Sequence, residues 1–134
     1  MKNSARAVIA GAAFLGLTES VLGAETFPEV CRTDAATAPA AHGGMDMNLK
    51  DFQRDSMDGM MKMDRDMTQG MMKDKPDVAF ICGMIAHHQG AIDMANVELK
   101  YGSDDWAKKM AEKVIKAQTK EIADMTDWLK TNAK

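Results

Sequence analysis

Residues 76–100 read PDVAFICGMIAHHQGAIDMANVELK, and this stretch decides the fold. Pro76 suits the first turn of a helix, where its missing N–H would have no partner in any case. Gly102 supplies a stop. Between them two adjacent stripes recur at three- and four-residue steps: Ile81, Ile85, His88, Ile92, Ala95, Leu99 and Phe80, Met84, His87, Ala91, Met94. That period is helical, and together the stripes form the expected inward face. The helix would run about 37 Å at 1.5 Å per residue.

Working outward, a second long helix is expected after Ser103. Asp104 and Asp105 stand in its first turn, where negative charge is favourable, and it runs to about Lys130. Its apolar stripe is Ala107, Ala111, Val114, Gln118, Ile122, Met125 and Leu129, with Glu121 in the same arc. Before residue 76, a helix is expected from an Asn48 N-cap to Met72. There Leu49, Phe52, Ser56, Met60, Met63, Met67 and Met71 share a face, with Met57 beside it. Gly59 and Gly70 weaken it by about 1 kcal/mol each. The links at Lys73–Lys75 and Gly102–Ser103 are short, so neighbouring helices run antiparallel. No segment alternates as a strand does. The fold class is all-α, an antiparallel three- to four-helix bundle over residues 49–134. Residues 25–48, rich in Ala, Thr and Pro, form an arm with room for a short fourth helix.

Residues 1–24 are expected to be a signal peptide. Lys2 and Arg6 precede the apolar run AVIAGAAFLGL, which is too short to span a membrane, and small residues follow near Ala24. An uncleaved anchor is the alternative. Removal would leave 15 basic and 19 acidic groups, a net charge of −4. No basic stripe or aromatic platform offers a nucleic-acid surface. No second apolar segment is long enough to span a bilayer, so the mature chain is expected to be periplasmic and not membrane-embedded. The chain has two cysteines, Cys31 and Cys82. In an exported protein such a pair suggests a disulfide, whose loop closure is worth on the order of 4 kcal/mol. The alternative is that Cys82 ligates a metal. At about 100° per residue, Cys82 lies roughly 160° from Met84, away from His87 and toward a possible meeting with Cys31.

Sulfur chemistry dominates the composition. The chain has 14 methionines, nine of them between Met45 and Met72. A helix needing only a core would use leucine, whereas thioethers also bind soft cations such as Cu(I). His87 and His88 sit one turn from Met84, at roughly −60° and +40° from it, with Met94 at roughly −80°. Both imidazoles are therefore expected on the buried side. Imidazole and thioether are neutral donors that suit Cu(I) and offer little to Mg²⁺ or Ca²⁺. The candidate ligands are Met84, His87, His88, Met94 and Met125, with Met57, Met60, Met63, Met67 and Met71 of the first helix. His42, Met45 and Met47, beside Gly43 and Gly44, are candidates for a flexible capture site. Gln118 and Glu121 are the expected partners of the imidazole N–H groups, fixing their tautomer.

MIAHHQGAIDMANVEL (Met84 to Leu99) followed by AEKVIKAQTKEIADMTDWL (Ala111 to Leu129) resembles the domain-of-unknown-function family number 305, from about Met57 to the end. The resemblance implies a ferritin-like helical bundle, usually exported, some of whose members are associated with bacterial copper handling. It implies Met84, His87, His88, Met94, Gln118, Glu121 and Met125 as shared residues. Where the family often has proline, this chain has Ala86. The function expected is binding of Cu(I), with sequestration or transfer that contributes to copper tolerance. Its partners would be copper ions and copper transport or efflux proteins. An enzyme is not expected, because di-iron bundles use Glu-x-x-His pairs and several inward glutamates, and only Glu98 and Glu121 qualify here. The alternative is a metal-free interaction module with a methionine-rich helical face.

Overall fold

The computed structural model describes residues 27–33 and 48–134. The expected signal peptide and the His42, Met45 and Met47 group lie outside the described residues. A short 3₁₀ turn at Glu29–Cys31 is followed by α1 (Asp51–Met71), α2 (Pro76–Tyr101) and α3 (Asp105–Asn132). The fold is the expected all-α bundle.

Local chemistry sets the helix ends. Pro76 opens α2. At α3 the Asp104 carboxylate accepts a hydrogen bond from the Ala107 N–H at 2.8 Å, which satisfies one of the unpaired donors of the first turn. For α1 the N-cap is Lys50 and not Asn48. The Gln53 side chain turns back to accept from the Lys50 N–H at 2.9 Å, so the first turn closes two residues later than expected. Gly102 ends α2 with φ −67° and ψ 157°. It thus leaves the helix in an extended conformation rather than the left-handed one usual for a glycine stop.

The central helix is α2, with α1 and α3 each packed along it. The core joins Val78, Cys82, Ile85 and Ala86 of α2 to Ile122 and Leu129 of α3 and to Phe27 and Cys31 of the arm. The expected stripe of α3 is the one that turns inward, with Ala111, Ile122 and Leu129 buried. A disulfide joins Cys31 to Cys82 across 51 positions of sequence, with both residues fully buried.

The inward face of α1 is rotated from the expected one. Asp66 and Gly70 are its buried residues, while Phe52, Met60 and Met71 of the expected stripe are exposed. Steric fit is the reason. A Cβ placed on Gly70 would stand 2.8 Å from the Cys82 carbonyl carbon and 2.9 Å from its Cβ. Only a glycine lets the α1 backbone come this near, and its position sets the rotation of the helix. Met63 lies against Gly90 of α2 in the same way.

At the far end of the α1–α2 pair, the Asp55 carboxylate accepts hydrogen bonds from Lys100 Nζ at 2.7 Å and Tyr101 Oη at 2.8 Å. These two bonds, that from Lys100 foremost, hold the Asp55 carboxyl below its usual range. The carboxylate in turn raises the Lys100 ammonium.

Two stability predictions follow from these contacts. Alanine is favoured over glycine in an open helix by about 1 kcal/mol, and at Gly59 an added Cβ meets only ordinary contact, 3.4 Å from the Asp93 Cβ. Gly59→Ala should therefore leave stability unchanged or raise it, and Gly70→Ala should lower it, in denaturant unfolding of the two variants. Because the Asp55 pKa is lower folded than unfolded, its contribution is present above the unfolded value near 4 and lost as pH falls through the lower folded one. Asp55→Asn should thus be less stable than the wild type at neutral pH. The gap should close on acidification and shrink with added salt, since the groups are exposed.

Candidate metal centre

The three helices form a layer with two sides. One side is occupied by the arm and holds a cavity of about 280 Å³, lined by Phe27 and Pro28, by Lys62 and Asp66 of α1, by Ile85, Ala86 and Gln89 of α2, and by Ile122 and Thr126 of α3. At roughly 100° per residue, Met57, Met60 and Met71 lie about 120–180° around α1 from Asp66. On α2, Phe80, Met84, His87, Ala91 and Met94 are likewise turned away from the cavity residues. On α3, Glu121 and Met110 are. Of the predicted donors, Met57, Met60, Met71, Met84, His87 and Met94 are thus turned toward the side opposite the arm.

This overturns the expectation that both stripes of α2 are buried. The stripe through Ile85 and His88 is covered by α3, and the Gly83 and Gly90 flank is covered by α1. The sector between them has no helix against it among the described residues. There Phe80 is 63 % exposed, Met94 59 % exposed and His87 exposed, with Met84 and Ala91 half-buried. His87 is therefore not on the buried side, whereas His88, one residue on, is buried.

His88 carries the main polar contact of the site. Its Nε2 stands 2.6 Å from Glu121 Oε2, which joins the α2 imidazole to the α3 carboxylate. With Nε2–H donating to the carboxylate, the lone pair lies on Nδ1. That atom is buried and has no hydrogen-bond partner. Buried polar atoms are rarely left this way. The Glu121 side chain is about half exposed, so it reaches from the rim of the layer to the buried ring. The His87 and His88 rings meet edge to face, with centroids 5.9 Å apart. Gln118, the other expected imidazole partner, is half-buried and makes no side-chain hydrogen bond to either ring.

The methionines divide by environment. Met67 and Met125 pack against the core cluster, and Met63 against Gly90, so these fill space. Met57, Met60 and Met71 are exposed by 42 %, 50 % and 61 %. Met71 reaches over Gly83 of α2, its Cγ 3.3 Å from where a Cβ on that glycine would stand, while Met57 and Met60 are turned to the surface. Cys82 is engaged in the disulfide and leaves the set of candidate ligands. Among the described residues, no group of three or more His, Cys, Asp or Glu side chains is placed to hold a metal ion. A metal here would draw on thioethers.

Two features were not anticipated from the sequence. Asp66 is buried beside the arm-side cavity, with Lys62 Nζ at 3.0 Å and Arg65 Nε at 3.5 Å. The signal for it was the run Gly59, Met63, Asp66, Gly70, whose steps of four, three and four residues mark a close-packed seam. The Asp55–Lys100–Tyr101 cluster had no local signal, because its members lie 45 and 46 positions apart.

No helix among the described residues is long and apolar enough to cross a membrane. No curated protein matches the chain. The family profile described as "Domain of unknown function (DUF305)" matches residues 24–129, most of the sequence. The helices, the His88–Glu121 pair and the methionine-bearing face are therefore features of a chain that belongs to the DUF305 family.

Proposed function

We propose that the protein is an exported binder of Cu(I) that sequesters the ion or hands it to copper transport or efflux proteins in the periplasm. The observation that carries this reading is the His88 ring. One nitrogen is anchored by a carboxylate and the other is left as a buried lone pair without a partner. Metal-binding histidines are oriented in this manner, with a second residue fixing the tautomer and raising the basicity of the ligating nitrogen. Met84 lies one turn before His88, and a thioether beside an imidazole is a soft, neutral donor pair suited to Cu(I). Export is supported by the basic and apolar opening of the sequence and by the disulfide, a bond that persists in oxidising compartments.

The exposed thioethers fit transfer better than permanent storage. Met57, Met60, Met71 and Met94 present sulfur at the surface, where ligands exchange readily, and His88 offers a more enclosed donor. A metal-free interaction module is the second reading. It is favoured by one observation, the exposure of Phe80, which has no donor to offer a metal.

Anaerobic Cu(I) titration separates the two. The wild type should bind more tightly than a Met84→Ala, His87→Ala, His88→Ala triple variant. Equal affinity would remove the central site. Glu121→Gln should weaken binding by about 10- to 100-fold, the usual effect of disturbing a ligand's supporting partner.

The α1 methionines have their own test. Replacing Met57, Met60, Met63, Met67 and Met71 with leucine conserves volume and helix propensity, so helix content by circular dichroism should be kept. The number of Cu(I) ions bound should fall, because leucine has no donor. Unchanged stoichiometry would confine the metal to Met84, His87, His88, Met94 and Met125.

A further inference from the structure

The open stripe of α2 requires an explanation that copper chemistry does not give. Phe80 is 63 % exposed and has no donor atom. Large apolar residues left open along the central helix of a bundle mark a surface that is covered in use.

The stripe is symmetric about His87 to within one residue. Phe80 stands seven residues before it and Met94 seven after, and Met84 three before and Ala91 four after. These are the steps of a helix seam. In two antiparallel copies of α2 related by a twofold at His87, each Phe80 would meet the other copy's Met94. Each Met84 would meet an Ala91, and the two His87 would lie side by side. A phenyl ring against a flexible thioether is a favourable contact, and large meets small at the inner positions. Only a residue at the axis meets its own symmetry mate, so a charge there would oppose itself. This stripe has no Asp, Glu, Lys or Arg. The one charged residue within residues 80–94 is Asp93, which accepts a hydrogen bond from Gln89 and lies toward Gly59 of α1.

We propose that two copies of this chain associate through the stripe, as an antiparallel α2–α2 pair centred on His87. Exposed Met60 and Met71 of α1 and Met110 of α3 widen the patch on either flank. A standard interface buries ~800 Å² per partner, more than one helix stripe offers, and these flanking side chains are the apolar surface available to extend it. The inference does not depend on copper and is tested without it.

The metal-free protein, with its native disulfide intact, should run as a dimer in size-exclusion chromatography with light scattering and dissociate on dilution. Met94→Glu should shift it to monomer with unchanged helix content, because the position is exposed within one copy. Cysteine cross-linking fixes the register. His87→Cys should form an intermolecular disulfide under mild oxidation, since the twofold brings the two positions within the about 4.4–6.8 Å between Cα atoms that such a bond needs. Phe80→Cys should not link to itself, its two copies lying about 20 Å apart along the helices at 1.5 Å per residue. A mixture of Phe80→Cys and Met94→Cys proteins should link. A wild type that is monomeric at every concentration, or position 80 linking to itself as readily as position 87, would overturn the proposal and assign the stripe to a different occupant.

Discussion

The approach of α1 to α2 at Gly70 is the constraint on which the rest of the molecule depends. Cys82 is enclosed there from two directions, by the α1 backbone and by the disulfide to the arm. The contact fixes the rotation of α1, which turns Asp66 inward and sends Met57, Met60 and Met71 out. It also fixes which side of α2 belongs to the arm. With the arm on one side and a helix on each flank, the remaining sector of α2 is left facing outward with its aromatic, imidazole and thioether groups. The candidate site is therefore a consequence of packing decided at the opposite side of the same helix.

What the sequence disclosed follows from how sharply each helix divides its polar and apolar residues. In α3 lysines, aspartates and glutamates alternate with a clear apolar stripe, so Ala111, Ile122 and Leu129 were legible as core, and Glu121 as a neighbour of the histidines. Pro76 and Asp104 marked helix starts by backbone chemistry that is local and needs no partner. In α2 the apolar residues run almost all round, and periodicity alone does not tell which sectors are covered. His87 and Met94 were placed inward for that reason. In α1 the methionines gather in one arc of about 160° at 100° per residue, but that arc is centred to one side of the face that packs, so the apolar stripe pointed to the wrong sector. The face was set instead by glycines and an aspartate at Gly59, Asp66 and Gly70, residues that a search for hydrophobic stripes passes over.

The candidate site was half legible on the same grounds. The pairing of an imidazole with Glu121 could be read from helix geometry, because both residues sit near the middle of antiparallel neighbours. Which imidazole makes the pair depended on the rotation of α2, and only the three-dimensional arrangement separates the enclosed His88 from the open His87. Two adjacent histidines thus have unlike surroundings, one ring shielded and held by a carboxylate, the other in contact with solvent.

The two ends of the α1–α2 hairpin are fastened by different means, a backbone seat beside a covalent bridge at one end and an ionic hydrogen-bonded cluster at the other. Among the described residues the third helix has neither a covalent bridge nor a backbone seat: apolar contacts, the His88–Glu121 bond and a hydrogen bond from Lys75 Nζ to the Lys134 carbonyl hold it to its neighbours. In the hierarchy of local openings that folded proteins undergo, α1 and α2 should then exchange their amide hydrogens as one unit, with α3 as the separable layer. Motion of α3 away from its neighbour would break the contact to Glu121 and expose both faces of the buried ring at once, so the most yielding part of the bundle is also the part that governs access to His88.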